Sequence, residues 1–295
     1  MMYPARYFYF CAYIYAHGKA VRMNNKTTGR LVVLTECSIM IALSAVLSVV
    51  KLFEMPYGGS ITLASMMPIV ILSYRHGARI GLAAALVESV IQMLMGLNNF
   101  SYFSTWQSLV ALAILDYLVA FAVFGFAGAF RRCIGKQSTA MAVGAVCASV
   151  GRYACHVISG ATVWAGLSIP TEAALFYSLS YNATYMIPDS IILILSCAYI
   201  GAALDFGKPI PARLTGVKTD PVSSYLYLGA GVSALAALIT DTVLIFSKLQ
   251  NADDGKFSFL GLSDVNWIAV AIVTSAAIAL SAALVIIAKK RETSK

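Results

Sequence analysis

Charged residues are scarce in this chain. Only 12% of its 295 residues are Asp, Glu, Lys or Arg, about half of the roughly 25% found in soluble domains. Hydrophobic residues make up 60%, and the mean hydropathy is +0.80. This composition excludes an ordinary soluble domain and predicts a polytopic membrane protein.

Motifs that carry catalysis or bind metals are also lacking. The sequence has no HExxH, no nucleophile elbow, no GxxxxGK[ST] loop and no cluster of Cys and His. We therefore predict no catalytic residue, no metal, no cofactor and no ATPase site of its own, so the chain is not expected to be an enzyme. All six cysteines lie in apolar segments, at their cytoplasmic ends or in the N-terminal arm, which argues against disulfides.

Long apolar runs are abundant instead. A run of about 20 apolar residues is long enough to cross a hydrocarbon core of about 30 Å. The sequence predicts an all-α integral membrane protein with eight such spans, the second being short: roughly 31 to 50, 60 to 74, 78 to 96, 108 to 130, 139 to 164, 177 to 203, 224 to 247 and 265 to 288.

Basic residues are distributed unequally between the loops on the two sides of these spans. Seventeen of the 21 lie in the N-terminal arm, the C-terminal tail and the loops after spans 2, 4 and 6. Because cytoplasmic loops carry the excess of Lys and Arg, we expect a multi-pass protein of the cell membrane with both termini cytoplasmic. The net charge of +8 follows from this topology and gives no indication of nucleic acid binding.

The predicted organisation has four parts. A cytoplasmic arm (1–29) precedes a six-helix membrane core (30–204), a cytoplasmic linker (205–223) and an accessory two-helix transmembrane hairpin with a basic tail (224–295). Residues 1–22 are too short an apolar run to span, and Met23 opens a more ordinary beginning. We expect the true start at Met23; an interfacial anchor is the alternative.

Polar residues recur at one depth in four spans. Glu88, Asp116, His156 and Asn182 each lie five to eight residues from the predicted outer end of their helix, which is roughly 8 to 12 Å below the outer surface at 1.5 Å per residue. Polar groups inside a membrane are costly and mark functional sites. These four residues predict a pocket that opens to the exterior.

The residues around this level favour an organic cation as ligand. Trp164 and Tyr177 lie just above it, and aromatic faces attract a flat cationic heterocycle while a carboxylate such as Asp116 neutralises it. Alternatives remain open: Asp116 pairs with Arg152, His156 is a packing residue, or Trp164 is an ordinary interfacial tryptophan.

Several stretches of the sequence resemble a known family. The chain is similar to the thiamine-specific substrate-binding S component of energy-coupling-factor vitamin transporters, over about residues 30 to 203. The matching stretches are LTECSIMIALSAVLS in span 1, YGGSITLASMMPIVILSYRHG across span 2, LDYLVAFAVFGFAGAF in span 4, RYACHVISGATVWAG in span 5 and YSLSYN in span 6.

The resemblance implies a six-helix S-component-like bundle, here with a two-helix extension, and a set of ligand-binding positions. Asp116 stands where the family has an acidic thiamine ligand, usually Glu. The other positions that we assign to substrate binding, by the resemblance or by their depth, are Tyr117, His156, Trp164, Tyr177, Asn182, Glu88 and Arg152.

The resemblance also implies partners. Ser38 and Ala42 occupy a small-xxx-small motif, which lets helices approach closely, and in the family this motif docks on a transmembrane coupling subunit driven by two cytoplasmic ATPases. The expected function is capture of thiamine outside the cell and ATP-driven delivery inward.

Three features depart from the family pattern. Gly59 stands where one version of the family has a Trp that covers the vitamin, and Asp116 is shorter than Glu by about 1.5 Å, one carbon–carbon bond. The loop after span 3 looks longer than in the family, and we expect Tyr102 or Trp106 in that loop to replace the missing aromatic ring.

Other functions are compatible with the same residues. The ligand is then another vitamin or a thiamine precursor, or the chain is a sensor or membrane enzyme that binds without transport. A self-sufficient ion-coupled transporter is a further alternative, with protons carried by one of the intramembrane carboxylates Glu36, Glu88, Asp189 or Asp241.

Overall fold

The structure is a computed structural model that describes residues 25–208, 210–214, 221–249 and 257–293. The predicted arm up to residue 22 and the proposed start at Met23 lie outside these residues. By its contacts the chain divides into two units, Met1–Ser38 and Ile39–Lys295.

The described residues are almost entirely helical, as expected for an all-α membrane protein. Two small antiparallel pairs of strands join β1 (Lys51–Glu54) to β2 (Ser60–Thr62) and β3 (Leu204–Asp205) to β4 (Ala212–Arg213). The helices are α1 (Asn25–Val49), α2 (Met67–His76), α3 (Ala78–Met95), α4 (Trp106–Arg132), α5 (Gln137–Thr162), α6 (Ala174–Ala203), α7 (Pro221–Leu249) and α8 (Trp267–Thr293), with short 3₁₀ turns at Pro56–Gly58, Leu97–Tyr102 and Phe259–Asp264.

Seven of the described helices are long and apolar enough to cross a membrane, which corrects the predicted eight spans. The predicted second span, 60 to 74, is instead strand β2, a turn and the ten-residue helix α2. Ten residues rise only about 15 Å, half of a hydrocarbon core. Residues 68–73 are buried, so other helices enclose the apolar run of this segment.

Helix α4 changes its helical type along its length. The segment Ala113–Val119 is a π-helix that carries Asp116 and Tyr117, and the segment Val123–Arg132 is a 3₁₀-helix. Short π-helical segments are rare in proteins, and those that occur are often found at functional sites. The sequence alone gave no indication of this irregularity.

Small residues allow α2, α4 and α5 to approach closely. A Cβ added to Gly128 would overlap the backbone of Ser73, and one added to Gly144 would overlap the backbone of Ala127. The Ser73 Oγ donates to the Gly125 carbonyl at 2.6 Å and accepts from the Gly128 N–H at 2.8 Å. Such close approach is how helices associate tightly in a membrane, where packing replaces the hydrophobic effect.

Helices α7 and α8 form the predicted C-terminal extension, and we refer to them with their connecting segment as the C-terminal hairpin. Hydrogen bonds between described residues join them in antiparallel order: Ser223 Oγ donates to the Ala288 carbonyl, Ser281 Oγ to the Ala230 carbonyl, and Thr274 Oγ1 to Asp241 Oδ2. Helix α7 also packs against α6, which connects the hairpin to the six-helix core.

Candidate functional site: a cavity around Asp116

A cavity of about 230 Å³ lies among the helices of the core. Its walls come from the β-hairpin of residues 51–62, the end of α3 and the turn after it, and helices α4, α5 and α6. The loop of residues 163–173 also contributes to the lining. The cavity therefore gathers residues from most of the core at one place, including three of the four polar residues from the predicted level, Asp116, His156 and Asn182.

Three side chains hold the carboxylate of Asp116 by hydrogen bonds. Its Oδ1 lies 2.9 Å from His156 Nδ1, and its Oδ2 accepts from Ser159 Oγ and Trp164 Nε1, both at 2.8 Å. Three donors thus hold a carboxylate that is only 8% exposed. Because an ionised carboxylate offers about four acceptor positions, one position stays available for a ligand.

His156 is oriented by this contact. With a proton on Nδ1, the ring donates to Asp116 and its Nε2 is an acceptor, 3.4 Å from Arg152 Nε. A neutral imidazole satisfies both neighbours in this tautomer.

Arg152 forms its ion pair with Asp189, with 3.2 Å between Nη1 and Oδ2. Its guanidinium carbon also lies 4.5 Å from the centre of the Phe121 ring, within cation–π distance. The alternative in which Arg152 neutralises Asp116 is therefore not the observed arrangement. The carboxylate of Asp116 is thus not paired with this guanidinium, which suits a cationic ligand.

Aromatic rings surround Trp164, which is 7% exposed. Ring centroids lie at 4.9 Å for Phe103, 5.9 Å for Tyr102 and 6.2 Å for Tyr57. Tyr102, one of the two expected replacements for the lid aromatic, thus meets the rings of Tyr57 and Trp164. Trp106, the other expected replacement, is 69% exposed.

Asn182 and Tyr117 complete the polar lining. The Asn182 Oδ1 accepts from Tyr185 Oη at 2.7 Å, and its Nδ2 donates to the Ser178 carbonyl at 3.0 Å. The Tyr117 hydroxyl donates to the Gly96 carbonyl at 3.1 Å. These bonds fix the side chains in place before any ligand arrives, which lowers the entropic cost of binding.

Comparison with known proteins identifies the family to which the chain belongs. Residues 34–205 match the model described as "Thiamine transporter protein (Thia_YuaJ)". The chain belongs to this thiamine transporter family. It is 37% identical over 191 residues to the thiamine transporter ThiT of Bacillus subtilis (strain 168), an alignment that covers 61% of this chain and 93% of that protein.

All residues that line the cavity lie within the part of the chain that matches the thiamine transporter family. Six of the eight predicted substrate-binding residues are among them. They are Asp116, Tyr117, Arg152, His156, Trp164 and Asn182.

The other two predicted residues are placed differently. Among the described residues, the cavity lining includes neither Glu88 nor Tyr177. Glu88 is fully buried and accepts from Gln92 Nε2 at 2.7 Å, and Gln92 does line the cavity. The Tyr177 ring meets the Phe257 ring edge-on at 6.2 Å.

Several residues of the site were not predicted from the sequence. Tyr57, Tyr181 and Tyr185 line the cavity, and Ser159 holds Asp116. Spacing gave a partial signal for Tyr185, which shares a helix face with Asn182, three residues away. Ser159 lies three residues after His156 on α5, so spacing placed both on one helix face. A serine in an apolar helix is too common, however, to be singled out as a site residue.

Proposed function

We propose that this chain binds thiamine in the cavity around Asp116 and takes it up across the cell membrane. The observation that carries the proposal is a buried carboxylate that is not paired with arginine: its partners are His156, Ser159 and Trp164, while Arg152 pairs with Asp189. Family membership supports the same ligand.

Thiamine suits such a cavity chemically, because it combines a cationic thiazolium ring with an aminopyrimidine. The carboxylate of Asp116 offers its remaining acceptor position to the exocyclic amine or balances the ring charge. Trp164 and Tyr57, whose rings border the cavity, offer faces and edges to a flat cation. Asn182 has both donor and acceptor atoms for the pyrimidine.

The first test is a titration of detergent-purified protein with thiamine, followed by tryptophan fluorescence and calorimetry. We expect saturable binding that weakens more than tenfold in Asp116→Asn and in Trp164→Ala, since loss of a buried charge partner or a stacked ring costs about 2 kcal/mol or more. Matched controls are Asp264→Asn and Trp106→Ala, both at exposed residues. Wild-type affinity in both cavity variants would refute this site.

We further propose that uptake is driven by an energy-coupling-factor module, a transmembrane coupling subunit with two ATPases, and that both termini are cytoplasmic. Support comes from the sequence, which has no nucleotide-binding loop of its own. Ser38 and Ala42 on α1 are both exposed, as a docking surface requires.

The coupling proposal is tested by uptake of labelled thiamine into vesicles. We expect uptake to require the ATPases and to survive collapse of the proton gradient. Ser38→Trp should leave thiamine affinity unchanged and abolish uptake, because a large ring prevents close helix approach. Uptake that stops with the gradient but persists without the ATPases would instead identify an ion-coupled transporter.

A further inference from the structure

The C-terminal hairpin touches the cavity wall through two phenylalanines. Phe246, near the end of α7, is 5% exposed, and Phe257, which precedes α8 in the chain, is 1% exposed. Both rings meet the ring of Tyr181 on α6, with centroids 6.3 Å and 5.6 Å away. Tyr181 is itself a cavity-lining residue beside Asn182.

The same two phenylalanines reach two further segments of the wall. The Phe246 ring lies 6.2 Å from Phe53 on β1, the strand whose residues Lys51 and Glu54 line the cavity. The Phe257 N–H donates to the carbonyl of Ser168 at 3.3 Å, and Ser168 also lines the cavity. One hairpin therefore contacts β1, the loop before α6, and α6.

Most of the hairpin buries little surface. Within the most apolar 18-residue stretch of each helix, 11% of the residues are buried inside the protein in α7 and none in α8. Lipid supplies no hydrophobic force that would drive these helices onto the core. The deep burial of Phe246 and Phe257 thus concentrates the contact at the cavity end of the hairpin.

We infer that the C-terminal hairpin is a structural part of the substrate site, in which Phe246 and Phe257 position Tyr181 and the β-hairpin of residues 51–62. The inference rests on the proposed function, because the ligand whose release it controls is thiamine. These are positioning residues: they hold the wall from behind and line no part of the cavity. Both lie outside residues 34–205, so the hairpin adds to the site from beyond the part of the chain that matches the family.

The inference is tested by the rate at which thiamine leaves the purified, full-length protein. We expect Phe246→Ala and Phe257→Ala to accelerate dissociation about three- to tenfold, the range that follows from loss of one or two aromatic pairs. Phe246→Leu and Phe257→Leu keep most of the ring volume and should fall between wild type and the alanine variants.

Two controls separate positioning from general loss of stability. Phe126→Ala removes a ring that is 53% exposed on α4. Met141→Ala opens a fully buried site on α5 near Gly201. Both should dissociate at the wild-type rate. A wild-type rate in both phenylalanine-to-alanine variants, or an equal acceleration in Met141→Ala, would overturn the inference.

A second readout does not need the ligand. Amide hydrogen exchange of residues 51–62, measured without thiamine, should be faster in Phe246→Ala than in Met141→Ala. If wild-type protein fails to bind thiamine, the proposed function is wrong, and this exchange experiment still decides the positioning role. Equal exchange in the two variants would reject it.

Discussion

The ion pair between Arg152 and Asp189 connects the cavity to the β-hairpin, and Asp189→Asn tests this connection. Asp189 Oδ2 pairs with Arg152, while its Oδ1 accepts from both the N–H and the hydroxyl of Thr62 at 2.8 and 2.9 Å. The amide side chain keeps an oxygen for Thr62 but removes the charge. The substitution therefore isolates the ionic part of the contact.

The expected cost follows from burial. The side chains of Arg152 and Asp189 are only 12% and 11% exposed, so the unpaired guanidinium would remain largely desolvated. Removing one partner of a buried pair costs about 3–5 kcal/mol. Coulomb's law with an effective dielectric constant of about 20 gives about 4 kcal/mol near 4 Å. We expect Asp189→Asn to lose about 3 kcal/mol of stability and to weaken thiamine binding, because an uncompensated positive charge beside His156 repels a cation.

A double-mutant cycle gives the measurement. Unfolding of Asp189→Asn, Arg152→Met and the double variant is followed in detergent, together with thiamine affinity. Because removing both charges is often nearly neutral, the double variant should be more stable than Asp189→Asn alone. A loss below about 1 kcal/mol in Asp189→Asn, or additive effects in the double variant, would refute the reasoning.

Three further predictions concern single positions. Gly59→Trp should lower thiamine affinity and not restore a family-like lid, since even a Cβ at Gly59 would lie 3.0 Å from the Tyr185 ring; titration measures this. Tyr102→Ala should weaken binding severalfold by loosening the rings around the cavity tryptophan, again measured by titration. Gly128→Val should prevent folding, because its side chain would overlap the backbone of Ser73; the yield of monodisperse protein reports this.

Opposite results would be informative for each position. Tighter binding in Gly59→Trp would mean that Tyr185 yields easily to a larger neighbour. Unchanged affinity in Tyr102→Ala would remove that ring from the site. Normal yield of Gly128→Val would contradict the close approach of α2 and α4.

Sequence reasoning predicted depth along the helices better than it predicted rotation about their axes. The shared level of Asp116, His156 and Asn182 followed from counting residues, and these three do meet in the cavity. Glu88 has the same predicted depth, but its side chain is fully buried and does not line the cavity. The packing of α3 against its neighbours decides which face of this helix points to the cavity. Periodicity gives the faces of a helix and not the direction in which each points.

Partner choice was equally beyond the sequence. The sequence offered Asp116 as a possible partner of Arg152, and the folded arrangement selects Asp189 instead. Contacts made by Phe246 and Phe257 were hidden for another reason. Each phenylalanine lies 65 or more positions after Tyr181 in the chain, and no local sequence pattern specifies such a contact.

The π segment of α4 also sets the rotational phase between the two halves of that helix. The half before it and the segment itself turn Asp116 into the cavity, while the half after it turns Gly125 and Gly128 toward Ser73. Each residue of a regular α-helix advances the rotation by about 100°. Deleting one residue between 113 and 119 would therefore turn one half away from its partner, so ligand binding and helix packing together fix the length of this segment.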